Sequence, residues 1–275
     1  QACTRSSCFR IRPFLPKAFT RQMASERTSL IRDDEEKFEL CGIEETAVRH
    51  GFVRKVYSIL GVQLVVTTLV GGIVMKLAET IAKSNPTLML TLLVGSITTS
   101  IAMSCVFFCC PDTMRRSPTN YILLAAFTVA EAVMVGFISA QYTQESVLIV
   151  IAVTSIVVVG LTLFACQTKY DITGFLPYAY VALWAMFGFS LVLFIASMCG
   201  LSQKSPAFQT ARLVYAFFGV LIFSFFIVLD TQLIVGGKHS KFRFGVDDYC
   251  MAAINLYLDI IQLFIYLLEL FGDRK

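Results

Sequence analysis

At 275 residues, 56% of them hydrophobic and only 15% charged, with a mean hydropathy of +0.72, the chain carries far more apolar surface than the core of a water-soluble domain needs. A membrane-spanning helix takes about 20 apolar residues, so a bundle of about seven spans leaves little chain for anything else. The formal net charge of +4 comes from loops and the N-terminal segment, not from a basic face interleaved with aromatics, and nucleic acid is excluded as a partner.

Residues 1 to 47 are polar, and we expect them to form a disordered cytosolic segment ahead of a transmembrane domain at 48 to 275. The first 27 residues hold Arg5, Arg10, Arg12, Lys17, Arg21 and Arg27 against Glu26, without an apolar stretch of signal-peptide length. An Arg- and Ser-rich targeting peptide is the alternative reading, and because position 1 is Gln1, Met23 stands as an alternative start. An acidic stretch follows, from Asp33 to Glu45. Arg49, His50, Arg54 and Lys55 then form a basic collar before the first apolar run, which marks a membrane edge.

Seven apolar runs come next, at about 56–76, 87–110, 119–140, 147–167, 176–199, 213–235 and 250–271, punctuated by breakers such as Ser84-Asn85-Pro86 and Gly236-Gly237. Barrel strands would alternate over about ten residues, whereas the stretch from Val147 to Leu163 is apolar on every face. The expected fold is all-α, a multi-pass membrane protein built as a seven-transmembrane-helix bundle. With the N-terminus in the cytosol, Arg49, Arg54, Lys55, Arg115, Arg116, Lys169, Lys238, Lys241 and Arg243 fall inside. Lys76, Lys83, Lys204, Arg212, Arg274 and Lys275 then fall outside. The C-terminal Asp273, Arg274 and Lys275 fit this orientation worst; an inner C-terminus would need a re-entrant seventh run or an unusual hairpin between the third and fourth. Cys105, Cys109, Cys110, Cys166, Cys199 and Cys250 read as small apolar fillers, with palmitoylation of Cys109 and Cys110 as the second reading.

Three carboxylates interrupt the apolar runs: Glu131 in the third, Asp230 in the sixth and Asp259 in the seventh. Each costs at least about 2.5 kcal/mol at the centre of a span, so function is the default reading and a hydrogen-bonded fastener the plain alternative. At 1.5 Å per residue, Asp230 and Asp259 lie roughly 8 and 14 Å from the side of their connecting loop, and Glu131 roughly 18 Å, which allows all three to line one cavity. On the seventh run Asn255, Asp259, Gln262, Tyr266 and Glu269 fall within an arc of about 80°, a polar stripe that faces other helices and makes this helix central. Gly71, Gly72, Gly95, Gly136, Gly160, Gly188 and Gly219 permit close helix contacts.

Several stretches then point one way: Phe52 to Tyr57 (Phe-Val-Arg-Lys-Val-Tyr), Gln167 to Asp171 (Gln-Thr-Lys-Tyr-Asp) with Thr173, Leu229 to Leu233 (Leu-Asp-Thr-Gln-Leu), and Ala253 to Ile261 (Ala-Ile-Asn-Leu-Tyr-Leu-Asp-Ile-Ile). In these motifs the chain resembles the transmembrane Bax-inhibitor-motif proteins, the Bax-inhibitor/Lifeguard family, on its Lifeguard branch. The likeness covers roughly residues 48 to 272. It implies a seven-helix fold with a central last helix, a cytoprotective role against cell death, and a pH-sensitive calcium leak across internal membranes. The endoplasmic reticulum or Golgi is the implied location, and the plasma membrane the alternative. In bacterial relatives an aspartate pair in the last two helices forms the pH sensor at the pore, and the matching positions are Asp230 and Asp259. The second span has no charged residue, so an arginine latch of the kind proposed for bacterial relatives is missing there.

Two carboxylates brought together in low dielectric cannot both ionise easily, so the pair is expected to share a proton and to titrate as one unit. Protonated, it would tie the sixth and seventh helices together; ionised, it would part them and leave a weak, transient Ca²⁺ site. Asp230 and Asp259 would be its metal contacts, with Glu131, Asn255 and Gln262 as further pore-lining or ion-contacting candidates. The expected partners are the lipid bilayer, Ca²⁺ and protons, and death-regulating membrane proteins, with no cofactor.

An enzyme is not expected. Asp259 follows Leu256-Tyr257-Leu258 rather than the GxGD of intramembrane aspartyl proteases, and His50 and His239 fall outside the spans a rhomboid-like protease would need them in. The last helix also has no lysine for a retinal Schiff base before Lys275. The competing reading is a non-conducting membrane protein that suppresses death signalling by binding other membrane proteins.

Overall fold

The computed structural model describes residues 17–168, 170–198, 205–236 and 244–275. Lys169, Cys199, Lys204, Gly237, Lys238, His239, Lys241 and Arg243 lie outside the described residues, as do residues 1–16. Seven helices run in chain order among those described: α1 Lys17–Ser84, α2 Pro86–Cys109, α3 Thr119–Ser139, α4 Gln144–Gln167, α5 Leu176–Met198, α6 Pro206–Val235 and α7 Tyr249–Phe271. All seven contain a segment long and apolar enough to cross a membrane, and the chain is a multi-pass membrane protein. It divides into Gln1–Val48 and Arg49–Lys275, the second being the helical bundle.

Local chemistry sets the helix ends. No proline occurs between Pro16 and Pro86, and α1 is helical from Lys17 onward. The break comes at Asn85, an extended residue directly before Pro86, whose missing N–H and fixed φ suit the first turn of α2. Thr143 caps α4 by accepting from the Ser146 amide, and Ser205 caps α6 by accepting from the Phe208 amide. Because of this cap and Pro206 at its first turn, α6 starts well before the apolar run at 213 and takes in Arg212. Similarly, α1 carries helix through the basic collar, and exposed His50 falls in the first turn of a span that begins at Ala47, not outside it as hydropathy suggests.

α7 is the most deeply buried of the seven. It packs against α3, α4 and α6 and is bonded to α1 where Tyr257 Oη lies 2.8 Å from Thr67 Oγ1. Cys250, Ala252, Ala253, Tyr257, Leu263 and Leu268 are fully enclosed in the core. α5, by contrast, is mostly peripheral, and its Tyr178, Trp184 and Phe187 face outward. Of the cysteines read as fillers, Cys250 is buried, but Cys105, Cys109, Cys110 and Cys166 are exposed on the outside of the bundle. The apolar surroundings there are bilayer, and a small side chain has no void to fill.

Residues placed on the inner face by charge meet one another. Arg115 Nε donates to Asp248 Oδ1 at 2.7 Å, Asn120 Nδ2 donates to Tyr249 Oη at 2.8 Å, and Lys55 Nζ sits 3.3 Å above the Tyr249 ring. At the opposite end, Arg212 and Arg274 both pair with Glu269. The last residues pair with the α3–α4 turn: Thr143 N donates to Asp273 O and Lys275 N to Gln141 O, each at 3.0 Å. The seventh run is thus one continuous helix ending beside the α3–α4 turn, on the face opposite Asp248, and neither re-entry nor an unusual hairpin is needed.

Of the seven glycines singled out, three sit at close contacts. A Cβ on Gly136 would lie 2.7 Å from Val74 Cβ and 2.8 Å from Gly71 O, one on Gly71 would lie 3.3 Å from Ala132 O, and one on Gly219 would strike the Tyr266 ring. Gly72, Gly95, Gly160 and Gly188 have open space instead. Gly136→Val is expected to force α1 and α3 apart and cost about 1–3 kcal/mol, read as a lowered unfolding midpoint in detergent. Gly95→Val, with nothing to strike, should leave the midpoint within about 0.5 kcal/mol of native.

Candidate functional site

The polar stripe of α7 lies against α6. Tyr266 Oη is 3.0 Å from Tyr215 Oη, the Tyr266 ring stacks on Phe223 and covers Gly219, and Glu269 Oε1 accepts from Arg212 Nε at 2.8 Å. Two and a half turns nearer the inner end, Asp259 meets Asp230 of α6. Both are buried, 7% and 6% exposed, and their carboxyl groups lie side by side, close enough to share a hydrogen bond when one holds a proton. Among the described residues no lysine or arginine acts on either carboxyl, and Asp259 Oδ2 has no hydrogen-bond partner. Tyr180 of α5 lies within electrostatic range of both.

A hydrogen bond between membrane helices is worth about 0.6 kcal/mol. Each ionisable carboxyl at mid-span costs at least about 2.5 kcal/mol on insertion scales. Fastening α6 to α7 therefore does not offset the presence of two carboxyls. Chemically the pair can hold one proton between two acids, or, ionised, present anionic oxygens to a cation. Among the described residues no group of three or more His, Cys, Asp or Glu side chains comes together as a metal cage, so any cation here would complete its oxygen shell with water.

Glu131 is not part of this pair. It is 4% exposed, and the groups that act on it are Ser100 of α2 and Tyr257 of α7, with Glu131 Oε2 lacking an aligned partner. Tyr257 and Asp259, two residues apart, project about 160° from one another around the helix axis, so Glu131 and Asp230 lie against opposite faces of α7. The single cavity expected for the three carboxylates is two polar clusters. The second also contains Gln63, whose Nε2 donates to Thr128 Oγ1 at 3.0 Å, and the Thr67–Tyr257 pair. Asn255 and Gln262 are half-buried, and neither hydrogen-bonds to another described residue.

Three residues tie the inner end of α6 to its surroundings, and sequence reasoning gave only one of them its place. Arg49, read as part of a basic collar, sends its guanidinium to three backbone carbonyls: Leu233 O at 2.7 Å, Val235 O at 3.1 Å and Phe244 O at 2.8 Å. Gly236 closes α6 with φ of +58°, and a Cβ there would also strike Arg49. Gln232 Oε1 accepts from Ile172 N at 2.9 Å and Gln232 Nε2 donates to Tyr170 O at 3.0 Å, fixing the α4–α5 connection two residues from Asp230. Asp171 accepts from the amide and hydroxyl of Thr173. The motif residues Tyr170, Asp171, Thr173 and Gln232 thus build one joint. Among the collar residues Arg49 alone is half-buried, His50, Arg54 and Lys55 being exposed, and nothing in the sequence distinguishes it from them. At the outer end, Tyr142 accepts from Arg274 Nη2 at 3.2 Å; burial and the nearby Glu269 carboxylate keep the Tyr142 hydroxyl protonated above the usual phenol range.

Comparison with known proteins agrees with this architecture. The model of the Bax1-I family, described as inhibitor of apoptosis-promoting Bax1, matches residues 49–275. The chain belongs to that family. Protein lifeguard 3 of Homo sapiens is 32% identical over 238 residues, covering 84% of this chain and 71% of the relative. Protein lifeguard 3 of Mus musculus is 30% identical over 234 residues, covering 84% and 72%. Protein lifeguard 4 of Mus musculus is 32% identical over 245 residues, covering 88% and 92%. The match to the Bax1-I family begins at Arg49, the residue that clamps the end of α6, and takes in both aspartates.

Hydrogen bonds to a charged donor contribute about 1.5–3 kcal/mol each, and a lysine cannot reproduce the guanidinium fork. Arg49→Lys is therefore expected to speed amide exchange at Gly236 and Phe244 by about tenfold or more, with little change at amides in the middle of α4. Hydrogen exchange followed by mass spectrometry reads both.

Proposed function

We propose that the chain is a pH-sensitive calcium leak of internal membranes with a cytoprotective role, gated by Asp230 and Asp259. The observation that carries this reading is the contact of two buried carboxyls on adjacent central helices, with no cation among the described residues to neutralise them. A pair in that setting holds a proton when it is stable and closed. Losing the proton sets two negative charges against each other, loosens α6 from α7, and creates an anionic station for Ca²⁺. Two carboxylates, the amides of Asn255 or Gln262 and waters give a weak site, and weak sites release their ions. Arg49 and Gln232 hold the inner end of α6, so the parting is centred on the aspartates and not on the loop. Glu131 is a second acidic station on the other side of α7. The family membership and the names of the relatives support the cytoprotective part of the reading, and an endoplasmic reticulum or Golgi location goes with it.

The second reading is a non-conducting protein that suppresses death signalling by binding other membrane proteins. It is favoured by α5, whose outward Trp184 and Phe187, with ring centroids 5.9 Å apart, form an aromatic patch available to another helix.

Calcium efflux from liposomes containing only this chain separates the two. Between about pH 6 and 8 the protonated-to-ionised ratio of a titrating group changes about a hundredfold, so native efflux should rise with pH over that range. Asp230→Asn and Asp259→Asn each remove the like-charge repulsion and should flatten the rise. A pH response unchanged in both variants removes the gate from the aspartates, and absence of flux from folded native protein favours the binding reading.

A further inference from the structure

A cleft of about 590 Å³ opens on the side of the bundle between α1 and α4, floored by α3 and α7. It is separate from the aspartate pair, which lies on the α6 side of α7. Leu64, Gly72 and Lys76 line one wall, Ser155 and Gln144 the other, and Phe264 the floor. Four of the five hydroxyls along it are already used: Thr67, Thr68, Thr154 and Ser155 donate to the carbonyls of Gln63, Leu64, Val150 and Ile151 within their own helices, at 2.7–2.8 Å, and the fifth, on Ser139, lies at the end of α3 near Gln144. Away from the end marked by Ser139 and Gln144 the walls consequently offer mainly hydrocarbon, and such a cleft takes an apolar guest and not an ion or water file. From Leu64 to Lys76 it runs about 18 Å along α1, comparable with the roughly 15 Å depth of one leaflet's hydrocarbon.

The two ends differ. Lys76 and Gln144 stand at the mouth, at the same membrane edge, where α1 leaves and α4 enters the bilayer. The Lys76 ammonium is exposed and has no acidic partner among the described residues. An apolar slot one leaflet deep with an exposed cation at headgroup level matches one class of molecule. We propose that the cleft holds an acyl chain of an anionic phospholipid whose headgroup sits on Lys76.

Gly72 makes this testable, because it lines the cleft and a Cβ added there meets nothing within 4 Å. The full chain is exchanged into nanodiscs of mixed phosphatidylglycerol and phosphatidylcholine, released, and its retained lipids counted by native mass spectrometry. The native chain should keep one phosphatidylglycerol in preference to phosphatidylcholine. Gly72→Leu, filling the cleft from α1, and Ser155→Phe, filling it from α4, should each lose that lipid, so either one that folds decides the matter. Lys76→Gln should keep a lipid but lower the preference for phosphatidylglycerol about fivefold. A native chain without a retained lipid, or a folded cleft-filling variant that retains one as well as native, overturns the proposal; an unchanged preference in Lys76→Gln overturns the headgroup assignment.

Discussion

A helix bearing Asn255, Asp259, Gln262, Tyr266 and Glu269 tolerates a bilayer only if other helices shield it, and the packing of α7 against α6 provides most of that shielding. Tyr266 fits over Gly219, Glu269 meets Arg212, and Asp259 meets Asp230. The remaining helices complete the enclosure: α1 through Thr67, α3 through Asn120, and α4 through Ser146, whose Oγ accepts from the Asp273 amide at 3.1 Å. The order of the bundle follows from this. The helix least able to face lipid takes the middle, and α5, whose only interruptions are small or aromatic, is left at the edge.

Hydropathy made the seven spans legible because in a membrane every backbone polar group must be satisfied within the segment, which leaves helix as the only form for such runs. It could not see where helices end, since ends depend on caps and prolines. Ser205 and Pro206 start α6 a full two turns before its apolar run, and the proline-free stretch before Ala47 extends α1 far ahead of its span. Heights were legible too: rise per residue brought Asp230 and Asp259 to similar depth. Rotation was not, because the angle at which α3 faces α7 is set by tertiary packing, so heights alone allowed Glu131 to share a cavity with the aspartates, whereas it lies against the other face of α7. Arg49 was legible as a charge at the membrane edge but not as a clamp on carbonyls more than 180 residues away.

The family assignment and the geometry bear on different questions. Membership identifies the kind of membrane protein; the side-by-side carboxyls, on which no basic group among the described residues acts, define the chemistry that a gating account has to use. The second span carries no charge, so this chain has no basic latch there. Proton sharing within the pair is the means the local chemistry offers.

The keying of α7 on several sides has a mechanical consequence. Tyr249 is held by α3, Tyr257 by α1, Tyr266 and Glu269 by α6, and Asp273 by the α3–α4 turn. A turn of one residue about the helix axis, 100°, would break all of these at once and swing Asp259 out of register with Asp230. The helix is a splined shaft, torsionally locked. Whatever motion links its two polar faces must be radial, with neighbouring helices drawing away from a fixed axle.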